Sequence, residues 1–228
     1  MAPAEPNILW PEVTKFISQL NHDLRNHLNA VELQVAFLGE TVAEPEAKEE
    51  IKRLREMTGK LNAHLQKLSA SLAKVRPEMM SYPAVDFVED LRARLALEQP
   101  EQSAGIDWKV SLGQEMLEID PQLLQESFLE LFANAGAHGR TEGPLVCEVR
   151  AASKTIEFSL REPKTQFNGT TENWGARPLQ HVRSGHYGLG LFRARSIFEA
   201  HHGHYRAHFD PAASILQTVV SLPCSDGL

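Results

Sequence analysis

Two adjoining segments near the start of the chain repeat apolar residues at helical spacing. In the first, Pro11–Leu38, steps of three and four residues link Val13, Ile17, Leu20, Leu24, Leu28, Val31, Val35 and Leu38. In the second, Pro45–Val75, a heptad alternation links Ile51, Leu54, Thr58, Leu61, Leu65, Leu68, Leu72 and Val75. Such spacing places each set on one face of a helix. Because two helices cannot hide both faces from water, the pattern predicts a hairpin that pairs with a second copy as a four-helix bundle.

One imidazole is predicted on the polar side of the first helix. His22 lies two residues from both Leu20 and Leu24, and a rotation of about 100° per residue turns it away from that apolar face. Asn26 follows on the same side one turn later, and Asp23 adjoins His22. We therefore expect the three polar groups to meet where a macromolecular partner can reach them, although an ordinary solvated face would show the same pattern.

The rest of the chain alternates between strand and helix patterns. A linker that begins at Arg76-Pro77 and ends near Pro83 separates two predicted domains, residues 1–77 and 84–228. The predicted helices are Ala84–Leu97, Asp120–His138 and Gly188–Ala200, and the predicted strands are Ile106–Leu112, Leu145–Arg150, Thr155–Arg161, Tyr205–Phe209 and Leu216–Leu222. The aperiodic segment Glu162–Tyr187 has the length of a lid. The sequence thus predicts an α+β fold, a helical hairpin followed by an α/β sandwich with helices on one face of a mixed sheet.

Composition and charge favour a protein partner in the cytoplasm. The 228 residues are 42% hydrophobic, enough for a sizeable core, and the net charge of −7 argues against nucleic acid or an anionic membrane as partner. No apolar run approaches the roughly 20 residues that span a bilayer, and the N-terminus lacks a secretion signal. Cys147 and Cys224 lack the paired spacing of a metal or redox site.

Two motifs in the second domain predict a site for a phosphorylated ligand. Glycines stand before the last helix in the run Gly185-His186-Tyr187-Gly188-Leu189-Gly190-Leu191. Glycine lets the backbone approach a phosphate, and a helix N-terminus presents free amide groups to it. On the helix Asp120–His138, the side chains of Glu130, Asn134 and His138 recur every four residues and share a face that suits magnesium and a triphosphate. A plain polar helix face remains the alternative.

These motifs together resemble those of two-component sensor histidine kinases. His22-Asp23-x-x-Asn26 looks like the phosphoacceptor box of that family, and Glu130–His138 is similar to its asparagine box. The run from Gly188-Leu189-Gly190-Leu191 to Gly203 is similar to its second glycine box and the helix that follows. The resemblance covers nearly the whole chain, and it implies a homodimeric phosphoacceptor hairpin followed by an ATP-binding domain of the GHKL type.

The resemblance also implies a reaction, with ATP and magnesium as cofactors. His22 would attack the γ-phosphate with Asp23 as base, and would then phosphorylate an aspartate of a response-regulator receiver domain. Asn26 would position water for dephosphorylation, and a sensor acting in trans is a further candidate partner. Glu130 and Asn134 would bind the metal. The implied nucleotide-binding residues are Glu130, Asn134, His138, Glu162, Gly185, Gly188 and Gly190.

The first glycine box departs from the family pattern. The family places Asp-x-Gly-x-Gly after the strand corresponding to Ile156–Arg161, with the aspartate accepting a hydrogen bond from adenine. Here the sequence is Glu162-Pro163-Lys164. Glu162 could still accept that bond, whereas Lys164 places a cation where the base would lie. We expect an autokinase, and the alternative is a phosphotransfer protein or phosphatase whose ATP domain binds no ATP. A gyrase-type ATPase that uses Glu130 is a third, which leaves the His22 hairpin without a purpose.

Overall fold

A computed structural model describes residues 9–137, 143–167, 171, 174–179 and 188–225. The chain forms two compact units, residues 1–74 and 75–228. None of the described helices is both long enough and apolar enough to cross a membrane.

The first unit is an antiparallel helical hairpin. Helix α1 spans Trp10–Thr41 and helix α2 spans Pro45–Leu72, three residues short of the predicted end. Each helix has a proline in its first turn, where the missing N–H costs no helical hydrogen bond. The side chain of Glu12 accepts a hydrogen bond from the Leu9 amide and so closes the start of α1. The predicted hairpin is therefore confirmed.

The apolar residues of the hairpin fall on two faces rather than one. Ile51, Thr58, Leu65 and Leu72, one heptad position of α2, are half-buried in the hairpin. Leu54 and Leu61, at the other position, are 46% and 48% exposed. On α1 the row packed against α2 is centred on Asn21 and Val35, which are buried, whereas Leu20 and Leu24 are exposed. Leu20 and Leu24, which the sequence placed on the bundle seam, are therefore not covered by α2, because the hairpin covers only one side of each seam.

The described part of the second unit forms eleven elements. In chain order they are β1 Met80–Pro83, α3 Ala84–Glu98, α4 Pro100–Ser103, β2 Ile106–Ser111, β3 Met116–Ile119, α5 Pro121–Ala137, β4 Leu145–Ala152, β5 Thr155–Pro163, α6 Gly190–Ala200, β6 His204–Asp210 and β7 Ile215–Ser225. Strand β1 lies in the predicted linker, and α4 and β3 were not predicted. Each of these has four residues, too few to establish a period.

The strands form one mixed sheet in the order β1-β3-β7-β5-β4-β2. Strand β6 lies off this path and pairs with β7. Only the pairing of β2 with β4 is parallel among those described. Strand β7 pairs with β5 along residues 215–223 and then reaches β3 with its last two residues. In this register Glu162, near the end of β5, lies opposite Leu216.

Aromatic side chains join the helices to the inner face of the sheet. Phe158 of β5 contacts Phe87 of α3 at a centroid distance of 6.0 Å and Phe128 of α5 at 4.6 Å. Phe128 in turn contacts Phe198 of α6 at 5.2 Å. All four rings are at most 3% exposed. Three helices thus share one core with the inner row of β5, and this row leads to Glu162 and Lys164.

Candidate functional site

The first site is the exposed turn of α1 around His22. The side chains of His22 and Asp23 are 68% and 54% exposed. Nδ1 of His22 lies 3.3 Å from Oδ1 of Asp23 and 3.4 Å from Nδ2 of Asn26. Gln19 donates a hydrogen bond of 2.9 Å to the same Asp23 oxygen and orients the carboxylate. The structure thus places the three polar groups of this turn together on an accessible surface.

The two contacts at Nδ1 require opposite tautomers of His22. When Nδ1 carries the proton, its N–H donates to Asp23 and the Nε2 lone pair can act as a nucleophile. An unprotonated Nδ1 would instead accept from the Asn26 amide and carry its proton on Nε2. Because Asp23 is a charged acceptor and Asn26 a neutral donor, the carboxylate favours the first tautomer. The geometry therefore suits His22 to accept a phosphoryl group on Nε2.

The second site lies at the end of β5, where two charged side chains are buried together. Nζ of Lys164 lies 2.7 Å from Oε1 of Glu162, and the side chains are 8% and 6% exposed. Alternation along an extended strand puts both residues on the inner face that also carries Phe158 and Leu160. The Lys164 amide donates to the carbonyl of Ser214 at 2.8 Å, which fixes the backbone there.

Sequence reasoning placed Lys164 near the base site but missed its pairing with Glu162. The spacing of two residues was the available signal, because residues i and i+2 of a strand share a face. The pairing was missed because Glu162 and Lys164 were assigned to an aperiodic loop, whereas β5 continues to Pro163.

Glu130 of α5 lies against the start of α6. Gly190 is the first residue of α6, and a Cβ built on it would lie 1.8 Å from Oε1 of Glu130. The carboxylate therefore occupies the space that the missing side chain leaves. A helix N-terminus carries a partial positive charge that attracts anions. Gly188, two residues earlier, has φ +62°, a conformation that favours glycine.

A buried histidine joins the far end of α6 to the start of α5. Nε2 of His201 accepts a hydrogen bond of 3.0 Å from the Asp120 amide, and Nδ1 donates to the Ile197 carbonyl at 2.7 Å. Burial lowers the pKa of His201 below its usual value, which keeps Nε2 free to accept. Oδ1 of Asp120 accepts from the Leu123 amide and caps α5. These bonds hold the two helices that carry Glu130 and Gly190.

The chain is similar to solved histidine-kinase structures. It superimposes on full-length ShkA in complex with AMPPNP with a TM-score of 0.71 at 17% identity, over 94% of this chain and 46% of ShkA. It also matches the histidine kinase AdeS of Acinetobacter baumannii (TM-score 0.53, 16% identity, 90% of this chain and 98% of that chain). For the nucleotide-free catalytic domain of ThkA the TM-score is 0.53 at 14% identity, over 64% of this chain and 95% of that domain.

The chain has a histidine-kinase fold. No protein-family model matches it, and neither does any curated protein sequence. The expected resemblance is thus confirmed at the level of fold, with a helical hairpin followed by an ATPase-type α/β unit. The chain spans less than half the length of ShkA.

Several predicted nucleotide contacts of the histidine-kinase fold can be placed. Glu130 and Asn134 lie one turn apart on α5, with Glu130 at Gly190 and Asn134 half-buried. His138 and Gly185 lie outside the described residues. Within the described ranges, no three His, Cys, Asp or Glu side chains form a cluster that could hold a metal ion. The set of Glu130, Asn134 and His138 therefore remains a prediction.

Proposed function

We propose that the chain is a histidine phosphotransfer protein of two-component signalling. It acts as a cytoplasmic homodimer and exchanges a phosphoryl group between His22 and an aspartate of a response-regulator receiver domain. The fold, the exposed imidazole and the adjacent carboxylate support His22 as the acceptor.

The buried pair of Glu162 and Lys164 favours an aspartyl phosphate over ATP as the phosphoryl donor. In the resemblance, the carboxylate at position 162 accepts the hydrogen bond of the adenine amino group. Here the Lys164 ammonium lies 2.7 Å from it. Opening the site to adenine would separate two charges inside the protein, which costs several kcal/mol for a buried pair. This ion pair is the observation that carries the proposal.

The resemblance places the nucleotide phosphates at the start of α6, and there the chain itself supplies a carboxylate. The Glu130 carboxylate lies against Gly190 at the start of α6, where a nucleotide phosphate would compete with it for the same positive helix end. A second negative group at this position would be repelled by the first. ATP and magnesium would therefore have to displace charged groups of the chain itself, and we derive no step through them.

The transfer follows from the groups on the exposed turn. The Nε2 lone pair of His22 attacks the phosphorus of the aspartyl phosphate, an N–P bond forms, and the P–O bond to the receiver breaks. The receiver carboxylate leaves with the electron pair. Asp23 accepts the hydrogen bond from Nδ1–H and stabilises the positive charge that develops on the ring. Asn26, one turn away, is placed to orient a water molecule in dephosphorylation.

The exposed surfaces of the hairpin suit both proposed protein partners. Leu33 and Phe37 are 73% and 60% exposed, and their spacing from Asn26 puts them on the His22 side of α1. This side suits a receiver domain. The opposite seam, with Leu24 and Leu61 exposed, suits a second copy of the chain.

ATP-dependent autophosphorylation of His22 is the second candidate. It is favoured by Gly188, whose positive φ is retained at the glycine box, and by the fold, since ShkA was solved with AMPPNP. It requires Lys164 to leave Glu162. A sensor acting in trans would supply the signal in either scheme.

The deciding experiment offers both donors to wild type and to His22→Gln. Acid-labile label from a phosphorylated receiver domain but not from Mg-ATP is the expected result, and it is lost in His22→Gln. Label from Mg-ATP in wild type would establish the kinase instead. Label that persists in His22→Gln would show that another residue is the acceptor.

A calorimetric titration with Mg-ATP tests the ion-pair argument separately. Wild type is expected to bind weakly, and Lys164→Gly is expected to bind more tightly because it removes the ammonium group beside Glu162. Low-micromolar binding by wild type would contradict the assignment of Lys164 to the base site.

A further inference from the structure

The turn that carries His22 contains a buried amide on its opposite side. Asn21 is 1% exposed and lies between α1 and α2. Its Nδ2 donates to the backbone carbonyl of Leu65 and to Oγ of Ser69, both at 2.6 Å. A carbonyl can only accept, so the contact with Leu65 fixes which end of the amide is the nitrogen.

Two amide oxygens are left without a partner in this part of the hairpin. Within the described residues, neither Oδ1 of Asn21 nor Oδ1 of Asn62 has a hydrogen-bond partner, and both atoms are buried. Asn62 lies on the same face of α2 as Leu65 and Ser69, which follow it by three and seven residues. Burying unsatisfied polar atoms costs stability, so leucine at position 21 would make a more stable hairpin. The polar residue therefore has to be explained by something other than stability.

The hydrogen bonds of Asn21 fix the rotation of α1 about its own axis. The Leu65 carbonyl belongs to the backbone of α2. This contact therefore orients α1 relative to a rigid element rather than to a mobile side chain. The other inward residues nearby, Ile17 and Leu28, are apolar, and their packing is non-directional. Rotation of α1 would break the bonds of Asn21 but would only rearrange these apolar contacts.

We infer that Asn21 is a positioning residue for the phosphoryl transfer at His22. This inference rests on the proposed function, in which His22 accepts from a receiver domain. His22 follows Asn21 directly, so a fixed rotation at residue 21 fixes the direction in which the imidazole projects. A turn of about 10° displaces a group about 6 Å from the helix axis by about 1 Å. A displacement of that size can slow a transfer about 100-fold.

The test compares Asn21→Leu with Asn62→Leu as a matched control. Both variants remove an amide whose Oδ1 is buried and without a hydrogen-bond partner among the described residues, but only the first removes the bonds next to His22. For Asn21→Leu we expect a melting temperature at or above that of wild type and a 10- to 100-fold lower kcat for phosphorylation by a receiver domain, with KM nearly unchanged. Asn62→Leu should transfer within about twofold of wild type. Equal losses in the two variants, or no loss in Asn21→Leu, would overturn the inference.

Phosphoramidate provides a donor that needs no fixed direction of approach. Its labelling of His22, followed by ³¹P NMR, should proceed at the wild-type rate in Asn21→Leu. A rate that falls as far as transfer from the receiver would show that the substitution damages the imidazole environment, and positioning would be refuted.

Relaxation-dispersion NMR of the amides at residues 17–26 tests the inference without any receiver. Millisecond exchange should appear in Asn21→Leu and be absent from wild type and Asn62→Leu. Flat profiles in all three would refute the inference. If wild type takes no label from receivers, the proposed function fails, while the dispersion result still decides whether Asn21 fixes the helix.

Discussion

Replacing Lys164 by methionine should strongly destabilise the α/β unit. The substitution keeps most of the side-chain volume and removes the ammonium group 2.7 Å from Glu162. Both side chains are less than a tenth exposed, so water cannot replace the lost charge. Removing one partner of a buried pair typically costs about 3–5 kcal/mol. For a unit of this size, each kcal/mol shifts Tm by about 2–4 °C, and we expect a fall of at least about 6 °C.

The double variant separates the charge effect from the packing effect. Glu162→Leu combined with Lys164→Met removes both charges and should recover most of the loss, because apolar residues of similar volume often replace a buried pair at little cost. The matched control is Lys109→Met. Lys109 lies 3.8 Å from Asp107 on an exposed strand, with side chains 61% and 50% exposed, and its loss should have little effect.

Urea unfolding followed by circular dichroism, with calorimetry for Tm, is measured for wild type, Lys164→Met, Glu162→Leu, the double variant and Lys109→Met. The reasoning would be refuted if Lys164→Met lost less than about 1 kcal/mol, since a buried counter-ion cannot be that dispensable. It would also be refuted if the double variant were as unstable as the sum of the two single variants, because the two losses must couple if the charges interact.

Three further outcomes are expected. The free energy of unfolding should fall as pH drops below about 6.5. Burial lowers the pKa of His201 in the folded protein, so the unfolded chain takes up this proton at a higher pH. Urea titrations of His201→Gln should lack this part of the pH dependence. Gly190→Ala should cost about 1–3 kcal/mol in wild type, since its Cβ displaces the Glu130 carboxylate, and markedly less in Glu130→Ala. The variants Leu24→Glu and Leu61→Glu should each be monomeric in light scattering. Unchanged dimers would show that the interface lies elsewhere.

The fold class and the accessibility of His22 could both be predicted from the sequence. Helical periodicity depends only on neighbouring residues, so the stripes of α1 and α2 predicted a hairpin, and the same rotation per residue placed His22 on the exposed side. The glycines before α6 likewise predicted where that helix begins. These features depend on residues close together in the sequence, so the spacing of those residues predicts them.

The short elements required the tertiary structure. Strand β1 pairs with β3, and β3 pairs with the end of β7, whereas four residues alone cannot show an alternation. The heptads of α2 predicted apolar seams, but not that Leu61 would remain exposed while Leu65 packs within the hairpin. An apolar stripe wider than one partner helix is covered only in part by that helix. Packing decides which of its residues are covered, and the sequence does not show which they are.

The chemistry of the two sites shows the same contrast. The sequence by itself determined that an imidazole, a carboxylate and an amide share one helical turn, because their spacing fixes their direction. Only the tertiary structure decided that Glu162 pairs with Lys164, that Glu130 fills the space at Gly190 and that Asn21 bonds to α2. The physical reason is that burial and partnership depend on elements distant in the chain, and a charge or an amide behaves according to what surrounds it.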